Sequence, residues 1–175
     1  MRVISGKYKG KNIIGYDIEG TRPTQDRVKE SLFGMIQDYI DSASVLDLFA
    51  GSGNLGIEAL SNGAESCIFV DNNKKCIDTI RKNTDGMDGF IIIESDYNKA
   101  LSSFKNKFDL IFLDPPYNLD CIDGILNKIV ELDLLNSDGL VICEYEFDNF
   151  REYDGLELIK DKKYGYKNIK VYRRK

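Results

Sequence analysis

Residues 45–56, VLDLFAGSGNLG, are the stretch that decides the predicted fold. The apolar run 45–50 has the character of a buried strand, and it enters a G-x-G-x-x-G pattern directly. Gly51 and Gly53 permit a tight turn and a close approach of the backbone to a ligand. A helix is predicted to follow at 55–62. Strand, glycine turn and helix in this order indicate the nucleotide-binding part of a doubly wound α/β domain.

Aspartates mark the ends of the neighbouring predicted strands. Asp71 ends the second strand, twenty residues after Gly51, where an acid can hold both hydroxyls of an adenosine ribose. Asp96 ends the third strand and could accept a hydrogen bond from an adenine amino group, or cap the helix that follows it. Asp47, inside the first strand, could bind a positively charged amino-acid group, which favours S-adenosylmethionine over NAD. Asp47 could equally cap a neighbouring loop.

Residues 108–117, FDLIFLDPPY, carry the predicted chemistry. An apolar strand ends at Asp114, Pro115, Pro116 and Tyr117, and ligands bind at this end of the strands in open α/β sheets. The Asp114 carboxylate and a carbonyl left free by proline can both accept hydrogen bonds from an exocyclic NH2 group. Tyr117 offers a face for base stacking, worth roughly 1–3 kcal/mol. This chemistry suits methyl transfer to an amino group of adenine, guanine or glutamine; a Pro-Pro turn with a local Asp114 hydrogen bond is the alternative.

The order of the predicted elements gives the fold class. Strands and helices alternate through the middle of the chain, which predicts a doubly wound, Rossmann-like α/β sheet with right-handed crossovers. Strands at 156–159 and 169–172, with KKYGYK at 162–167 between them, predict an antiparallel hairpin that closes the sheet. Residues 1–20 are predicted to form a basic β-hairpin, and residues 21–175 one compact domain.

The segment that begins TRPTQDR at residue 21 predicts an amphipathic helix that extends to Ile40. Thr24 is its predicted N-cap. Arg22 and Arg27 lie near the start of this helix, where the helix N-terminus could face an anionic ligand. Ordinary surface charge is the alternative interpretation.

The composition limits the possible functions. The chain has 175 residues, a net charge of −5 and no histidine, so neither a histidine-based triad nor a histidine metal site is possible. Its four cysteines are scattered, and no metal site is expected. No apolar run is long enough for a membrane span, and the first residues lack the apolar core of a signal peptide. A cytoplasmic protein is therefore expected.

Positive charge is concentrated at the two ends of the chain. Residues 1–12 carry a net charge of +4 and residues 160–175 a net charge of +7, around a strongly acidic middle. Such basic ends suggest contacts with nucleic-acid phosphates. The candidate nucleic-acid-binding residues of the first segment are Arg2, Lys7, Lys9 and Lys11, with Tyr8 as a possible stacking residue. Lysines that only keep terminal strands soluble are the alternative.

The segments RVISGKYKGK, TRPTQDRVKESLF, VLDLFAGSGNLGIEAL and DLIFLDPPY together resemble the bacterial RsmD family over essentially the whole chain. The resemblance implies an S-adenosylmethionine (SAM)-dependent methyltransferase that modifies guanine N2 in 16S ribosomal RNA (rRNA). It also implies a class I fold with a seven-stranded sheet, preceded by a small hairpin that helps to engage RNA. The expected partner is the small ribosomal subunit or an assembly intermediate of it, and the expected state is a monomer.

The resemblance assigns roles residue by residue. It places Asp114, Pro115, Pro116 and Tyr117 in the catalytic motif. It places Asp47, Gly51, Gly53, Asp71 and Asp96 in the cofactor site. Arg22, Pro23, Thr24 and Arg27 match a segment near the cofactor and the target base, with Thr24 and Arg27 on the cofactor side and Arg22 on the RNA side. One departure is Asp71, because glutamate is common at this position in the family.

The mechanism that follows is direct transfer of a methyl group without a covalent enzyme intermediate. Two other functions stay open. The first is an amino-methyltransferase that acts on adenine N6 of a nucleic acid or on a protein glutamine, which would share the same core. The second is a non-catalytic nucleotide-binding module with an NAD-type Rossmann core.

Overall fold

The computed structural model describes residues 1–15, 22–116, 119–145 and 151–175. In these ranges seven strands form one sheet in the order β3-β2-β1-β4-β5-β7-β6. The strands are β1 (Ser44–Asp47), β2 (Ser66–Asp71), β3 (Phe90–Glu94), β4 (Phe108–Leu113), β5 (Leu135–Tyr145), β6 (Leu156–Tyr164) and β7 (Lys167–Arg174). The helices are α1 (Arg22–Ile36), α2 (Asn54–Ser61), α3 (Lys74–Asn83), α4 (Tyr97–Ser103) and α5 (Ile122–Glu131), with a 3₁₀ turn at Gln37–Tyr39. Within the described part, no helix has both the length and the apolar character that crossing a membrane requires.

The strand directions bring the ends of several strands together at one edge of the sheet. Strands β1 to β5 run parallel, whereas β7 is antiparallel to both β5 and β6. The carboxyl ends of five strands therefore lie together. The start of β7 lies at the same edge, because Asn168 pairs with Tyr145, the last residue of β5. This topology confirms the predicted α/β sheet with an antiparallel C-terminal hairpin.

Alternate residues of the central strands belong to two separate hydrophobic cores, one on each face of the sheet. Val45 belongs to a buried cluster shared with α1, α2 and α3, whereas its neighbour Leu46 belongs to a second cluster shared with α4 and α5. Both residues are at most 1% exposed. Successive side chains of a strand point to opposite faces, so a strand covered by helices on both faces needs an unbroken apolar run. This explains why residues 110–113, LIFL, form an unbroken apolar run and why VLDLFA is apolar except for Asp47.

The N-terminal residues pair antiparallel and pack against this frame. The Val3 N–H donates to the Lys11 carbonyl and the Ile13 N–H to the Met1 carbonyl, both at 2.9 Å. Val3 and Ile13 are buried in the same cluster as α1 and α2. The pairing thus holds the start of the chain against the helices that flank the glycine loop.

A buried ion pair fastens this segment to the two helices. Lys29 Nζ of α1 lies 2.8 Å from Glu58 Oε2 of α2, and both side chains are at most 2% exposed. Glu58 also accepts hydrogen bonds from the N–H groups of Ile4 and Ser5, each at 3.0 Å. Lys29 Nζ donates to the Arg2 carbonyl at 2.7 Å. Because both buried charges are hydrogen-bonded, removing one partner would leave the other uncompensated.

The start of α1 differs from the prediction. The helix begins at Arg22, so Thr24 lies in its first turn and the prediction of Thr24 as the N-cap was wrong. The reason is Pro23. The first helical turn does not use its N–H groups, so proline is tolerated there and the helix can begin before Thr24.

The C-terminal hairpin is longer than predicted. Strands β6 and β7 extend through most of KKYGYK, and Tyr164 pairs with Lys167 as the last pair before the turn. Only Gly165 and Tyr166 connect the strands. Gly165 has φ of 62°, a left-handed conformation that glycine adopts without strain and that suits a two-residue hairpin turn.

Candidate active site

A cavity of about 550 Å³ opens at the carboxyl edge of the sheet. Its walls come from the segments that follow β1, β2, β3 and β4, together with one residue from α1 and one from β7. The predicted site residues that line it are Gly51, Asp71, Asp96, Asp114, Pro115 and Pro116. The topology therefore brings together residues that are up to 65 positions apart in the sequence.

The glycine loop is held by backbone hydrogen bonds. Gly51 and Gly53 have φ of 57° and 81°, in the left-handed region where side chains are strained. The Gly53 N–H donates to the Ala50 carbonyl at 2.7 Å and closes the turn. At Gly51 a Cβ atom would meet nothing within 4 Å, so the bare backbone faces the open cavity.

Asp71 joins the end of β2 to this loop. Its Oδ2 atom accepts a hydrogen bond from the Gly51 N–H at 2.9 Å, and its Oδ1 atom accepts one from the Asn73 N–H at 2.8 Å. An ionised carboxylate has about four acceptor positions, so each oxygen can still accept from a ligand hydroxyl. Asp71 therefore fixes the loop and presents acceptors to the cavity at the same time.

Asp96 caps α4, as one of the two predicted roles required. Its Oδ1 atom accepts from the N–H groups of Asn98 and Lys99 at 2.9 and 3.1 Å. Its Oδ2 atom makes no hydrogen bond with the described residues, and the side chain is exposed along the cavity wall. The next residue, Tyr97, packs against Phe49 with ring centroids 5.2 Å apart. The two rings form an aromatic wall beside the free carboxylate oxygen.

Asp47 is more enclosed than the other acidic residues. It is 2% exposed, and its Oδ2 atom accepts from the Gly56 N–H of α2 at 3.0 Å. Burial raises the pKa of Asp47 to about 7; the hydrogen bond from Gly56 acts against this rise, and the charge of Asp71 adds to it. Asp47 therefore holds the first turn of α2, which directly follows the glycine loop. It also lines a second cavity of about 290 Å³.

Asp114 lies where the two cavities meet, since it lines both. Burial is the main cause that raises the pKa of Asp114 to about 8. The negative charges of Glu144 and Asp47 act in the same direction, whereas the positive charge of Lys167 acts against them. Glu144 and Lys167 form an ion pair that is largely shielded from solvent. The carboxyl group at the centre of the site is thus set between an acid and a base.

Glu144 and Lys167 were not predicted as site residues. Glu144 could have been found by the rule that located Asp71 and Asp96, because it lies at the carboxyl end of a parallel strand. Lys167 depends on the antiparallel register between β5 and β7, which no local pattern reveals.

The Asp-Pro-Pro segment lies directly beyond the end of β4, where the pairing of the strand stops. Pro115 is buried and Pro116 exposed, and both line the larger cavity. The Pro115 carbonyl accepts no hydrogen bond from the described residues, whereas the Pro116 carbonyl accepts from the Leu119 N–H at 2.9 Å. Tyr117 lies outside the described residues, as do the side chains of Arg22 and Thr24.

The structure separates the predicted basic residues from the cofactor cavity. Arg27 lines a groove of about 510 Å³ between α1 and the N-terminal segment, together with Arg2 and Lys9. Gln25 is the α1 residue that lines both cavities at the strand ends. Residues two apart on a helix point about 200° away from each other, so Gln25 and Arg27 face different spaces.

The turn of the N-terminal segment lies further from the site. The Lys7 N–H donates to the carbonyl of Ser61, the last residue of α2, which is about 10 Å along the helix from the glycine loop. Lys7 Nζ lies 5.1 Å from the centroid of the Tyr8 ring, and Tyr8 is partly buried against the core. Lys11 Nζ donates to the Asp85 carbonyl at 3.0 Å.

The chemistry of the larger cavity discriminates between cofactors. Among its described lining residues, Lys167 is the only cation, while Asp71, Asp96 and Asp114 carry carboxyl groups. The negatively charged pyrophosphate of NAD would lie beside these carboxyl groups, so the residues that line this cavity do not suit NAD. They do suit an uncharged adenosine attached to a positively charged sulfur. The described residues contain no cluster of acids and cysteines that could hold a metal ion.

Fold and site together define a class I, SAM-dependent methyltransferase. The comparisons with known proteins place the chain more closely. It belongs to the family described as conserved hypothetical protein 95, the RsmD family, which matches residues 1–173.

The relatives agree with this placement over their full lengths. The chain is 39% identical to "Putative rRNA methyltransferase YlbH" of Bacillus subtilis, with all of both chains covered. It is 32% identical to "Ribosomal RNA small subunit methyltransferase D" of Haemophilus influenzae, over 98% of this chain and 93% of that protein. Among solved structures it is similar to "Putative methyltransferase yhhF" from Escherichia coli, with a TM-score of 0.89, 27% identity and coverage of 100% and 98%.

Proposed function

We propose that this protein transfers a methyl group to the exocyclic N2 amine of a guanine in 16S rRNA of the small ribosomal subunit. The observation that carries the proposal is Asp114. Its carboxyl group lies at the junction of the two cavities, and the carbonyl of the next residue, Pro115, accepts no hydrogen bond from the described residues. The similarity to proteins named as small-subunit rRNA methyltransferases supports ribosomal RNA as the substrate.

The residues divide the cofactor between the two cavities. In the larger one, Asp71 would accept from the ribose hydroxyls and Asp96 Oδ2 from the adenine amino group. In the smaller one, Asp47 would face the amino-acid part. When bound, SAM supplies a methyl group on a positively charged sulfur. The junction at Asp114 is the place where cofactor and target nitrogen can meet.

Asp114 and Pro115 act on the target nitrogen. The N2 lone pair of guanine is delocalised into the ring, which makes it a poor nucleophile. Two acceptors that bind both hydrogens of the NH2 group hold the nitrogen in one orientation and favour the positive charge that develops on it. The ionised form of Asp114 is the competent one, because a protonated carboxyl group would donate a hydrogen bond. The stacking role of Tyr117 stays a prediction, since that residue lies outside the described part of the chain.

The role of Asp114 can be tested by substitution. We expect Asp114→Ala to lower kcat by about 100-fold or more, because one of the two orienting acceptors is removed. SAM binding, measured by calorimetry, should change by no more than a few-fold, since the adenosine contacts lie elsewhere. Asp88→Ala is the matched control, because Asp88 is exposed before β3, at the opposite edge of the sheet. An Asp114→Ala enzyme with near wild-type kcat would refute the orienting role.

A further inference from the structure

The turn between β6 and β7 lies beside the reaction centre. Lys167, the first residue of β7, lines both cavities together with Asp114. Tyr166 directly precedes it, so the two Cα atoms are about 3.8 Å apart. The antiparallel register places this turn beyond the carboxyl end of β5, at the edge of the sheet that holds the site. A substrate bound at Asp114 therefore lies at the same edge of the sheet as the turn.

Tyr166 presents its ring to solvent at this position. It is 61% exposed, more than any other large hydrophobic residue that the structure describes. The other exposed large hydrophobic residues are aliphatic: Ile14, Ile91, Leu119 and Leu132. Tyr166 forms no ring contact with the described residues. An aromatic ring without a partner, next to a site for nucleic-acid chemistry, has the properties of a stacking platform.

The two residues that flank the turn are both anchored. The Tyr164 hydroxyl forms a hydrogen bond with the Ser31 hydroxyl of α1. Lys167 forms its ion pair with Glu144 of β5. The turn itself has only two residues, Gly165 and Tyr166. Because both flanks are fixed to the frame of the site, little ordering is needed when a ligand stacks on the ring, which favours binding.

The strand leading into the turn supplies positive charge. Lys160, Lys162 and Lys163 are exposed and make no ion pair within the described part of the chain. The acid among them, Asp161, is paired with the buried Lys170 at 2.8 Å. Successive residues of a strand face opposite sides, so Lys162 and Lys163 flank the ribbon on both faces. This charge is complementary to a phosphate backbone that passes over the turn.

We propose that the β6–β7 turn is a docking platform for single-stranded RNA next to the target nucleotide. A base that neighbours the target stacks on Tyr166, and Lys162 and Lys163 contact the adjacent phosphates. This inference rests on the proposed function, because it names how the same site holds its RNA. The turn of the N-terminal segment lies at the far end of α2 and is not part of this platform.

The test compares three variants in direct binding of unmethylated small ribosomal subunits, measured by fluorescence anisotropy of the labelled protein. Tyr166→Ala should weaken binding by about 5- to 100-fold, the range that loss of one stacked base gives. Tyr166→Phe should retain nearly all of the affinity, because the ring alone stacks. Ile91→Ala should bind like the wild type, since Ile91 is comparably exposed but lies on the opposite edge strand, β3. If Tyr166→Ala binds like the wild type, or if Tyr166→Phe is as weak as Tyr166→Ala, the platform is refuted.

The contribution of the lysines is tested by the salt dependence of binding. The double variant Lys162→Gln, Lys163→Gln should reduce the slope of log Kd against log salt by about 1.4, because each single-strand phosphate contact contributes about 0.7. An unchanged slope would show that these lysines only protect the edge strand and would remove them from the platform.

Labelled SAM added to the same samples distinguishes the two proposals. If Tyr166→Ala loses RNA affinity while the wild type labels a base other than guanine, the platform is supported and the product assignment fails. If the wild type forms N2-methylguanosine and Tyr166→Ala binds RNA normally, the platform fails and the proposed function is supported. A wild type that neither binds nor labels the subunits overturns both.

Discussion

At the scale of single residues, the environment of Asp114 determines its protonation state and therefore its capacity to accept hydrogen bonds. Its pKa is raised to about 8, mainly by burial, so near neutral pH most of the ligand-free protein carries a neutral Asp114. A cation bound beside this group would lower the pKa and favour the competent, ionised form. A positively charged cofactor beside Asp114 would therefore favour the form that accepts hydrogen bonds.

The protonation state of Asp114 predicts how activity depends on pH. The rate should rise with pH through the pKa of Asp114, with a midpoint in the cofactor complex at or below about 8. Glu144→Gln removes a negative neighbour and should move the midpoint to lower pH. Lys167→Met removes the positive neighbour and should move it to higher pH. The measurement is kcat against pH for the three proteins under saturating cofactor.

Asp47 provides the check on this assignment, because its pKa is also raised, to about 7. Its causes are burial, the Gly56 hydrogen bond and Asp71, and neither Glu144 nor Lys167 is among them. A profile governed by Asp47 would therefore have the same midpoint in all three proteins. Such a result would contradict the role given to Asp114.

At the scale of elements, the third glycine of the loop motif sets the distance between α2 and β2. A Cβ atom at Gly56 would lie 2.3 Å from Phe69 Cε1 and 2.6 Å from Cys67 Sγ. The helix would have to move away from the strand, and the Gly56 N–H would move with it from Asp47. Close packing of helix on strand is therefore the physical requirement for glycine here.

Two matched substitutions test this requirement. Gly56→Ala should lower the free energy of unfolding by about 1–3 kcal/mol because of overpacking. Gly124→Ala, in the first turn of α5, should raise it by about 0.5–1 kcal/mol, since nothing lies within 4 Å and alanine favours the helix. Urea unfolding of both variants measures the difference. Equal effects of the two changes would show that the space at Gly56 is not limiting.

Site residues that directly follow a strand could be predicted from the sequence, whereas site residues that depend on the register between strands could not. Gly51, Asp71, Asp96 and Asp114 could be predicted, because each directly follows a strand and parallel strands share their carboxyl edge. Lys167 could not, since only the pairing of β7 with β5 brings it there. The prediction for Thr24 was wrong because the helix begins at Arg22, and the first helical turn tolerates Pro23.

The rotation of α1 about its axis is a second feature that the sequence does not determine. Arg27 was expected near the cofactor, yet Gln25 lines the cavity and Arg27 faces the N-terminal segment. An amphipathic pattern shows which face of a helix is buried. It does not show which polar flank of that face points to a site, because the packing angle against the sheet decides this.

At the scale of the whole molecule, the charge distribution places the basic surfaces around an acidic centre. The net charge is −5, yet both chain ends are basic. The structure places one basic group in the groove beside α1 and the other on β6, near the turn next to the site. Acidic groups in the centre suit a cationic cofactor, and basic groups around it suit an anionic polymer. The two requirements are met by different parts of one fold.

The most direct test of methyl transfer to guanine N2 is identification of the product. The protein is incubated with isotopically labelled SAM and unmethylated small ribosomal subunits, and the digested nucleosides are analysed by mass spectrometry. We predict label in N2-methylguanosine, in an amount that approaches one per subunit. Label in N6-methyladenosine or in ribosomal protein would contradict the claim while retaining the amino-methyltransferase chemistry of Asp114.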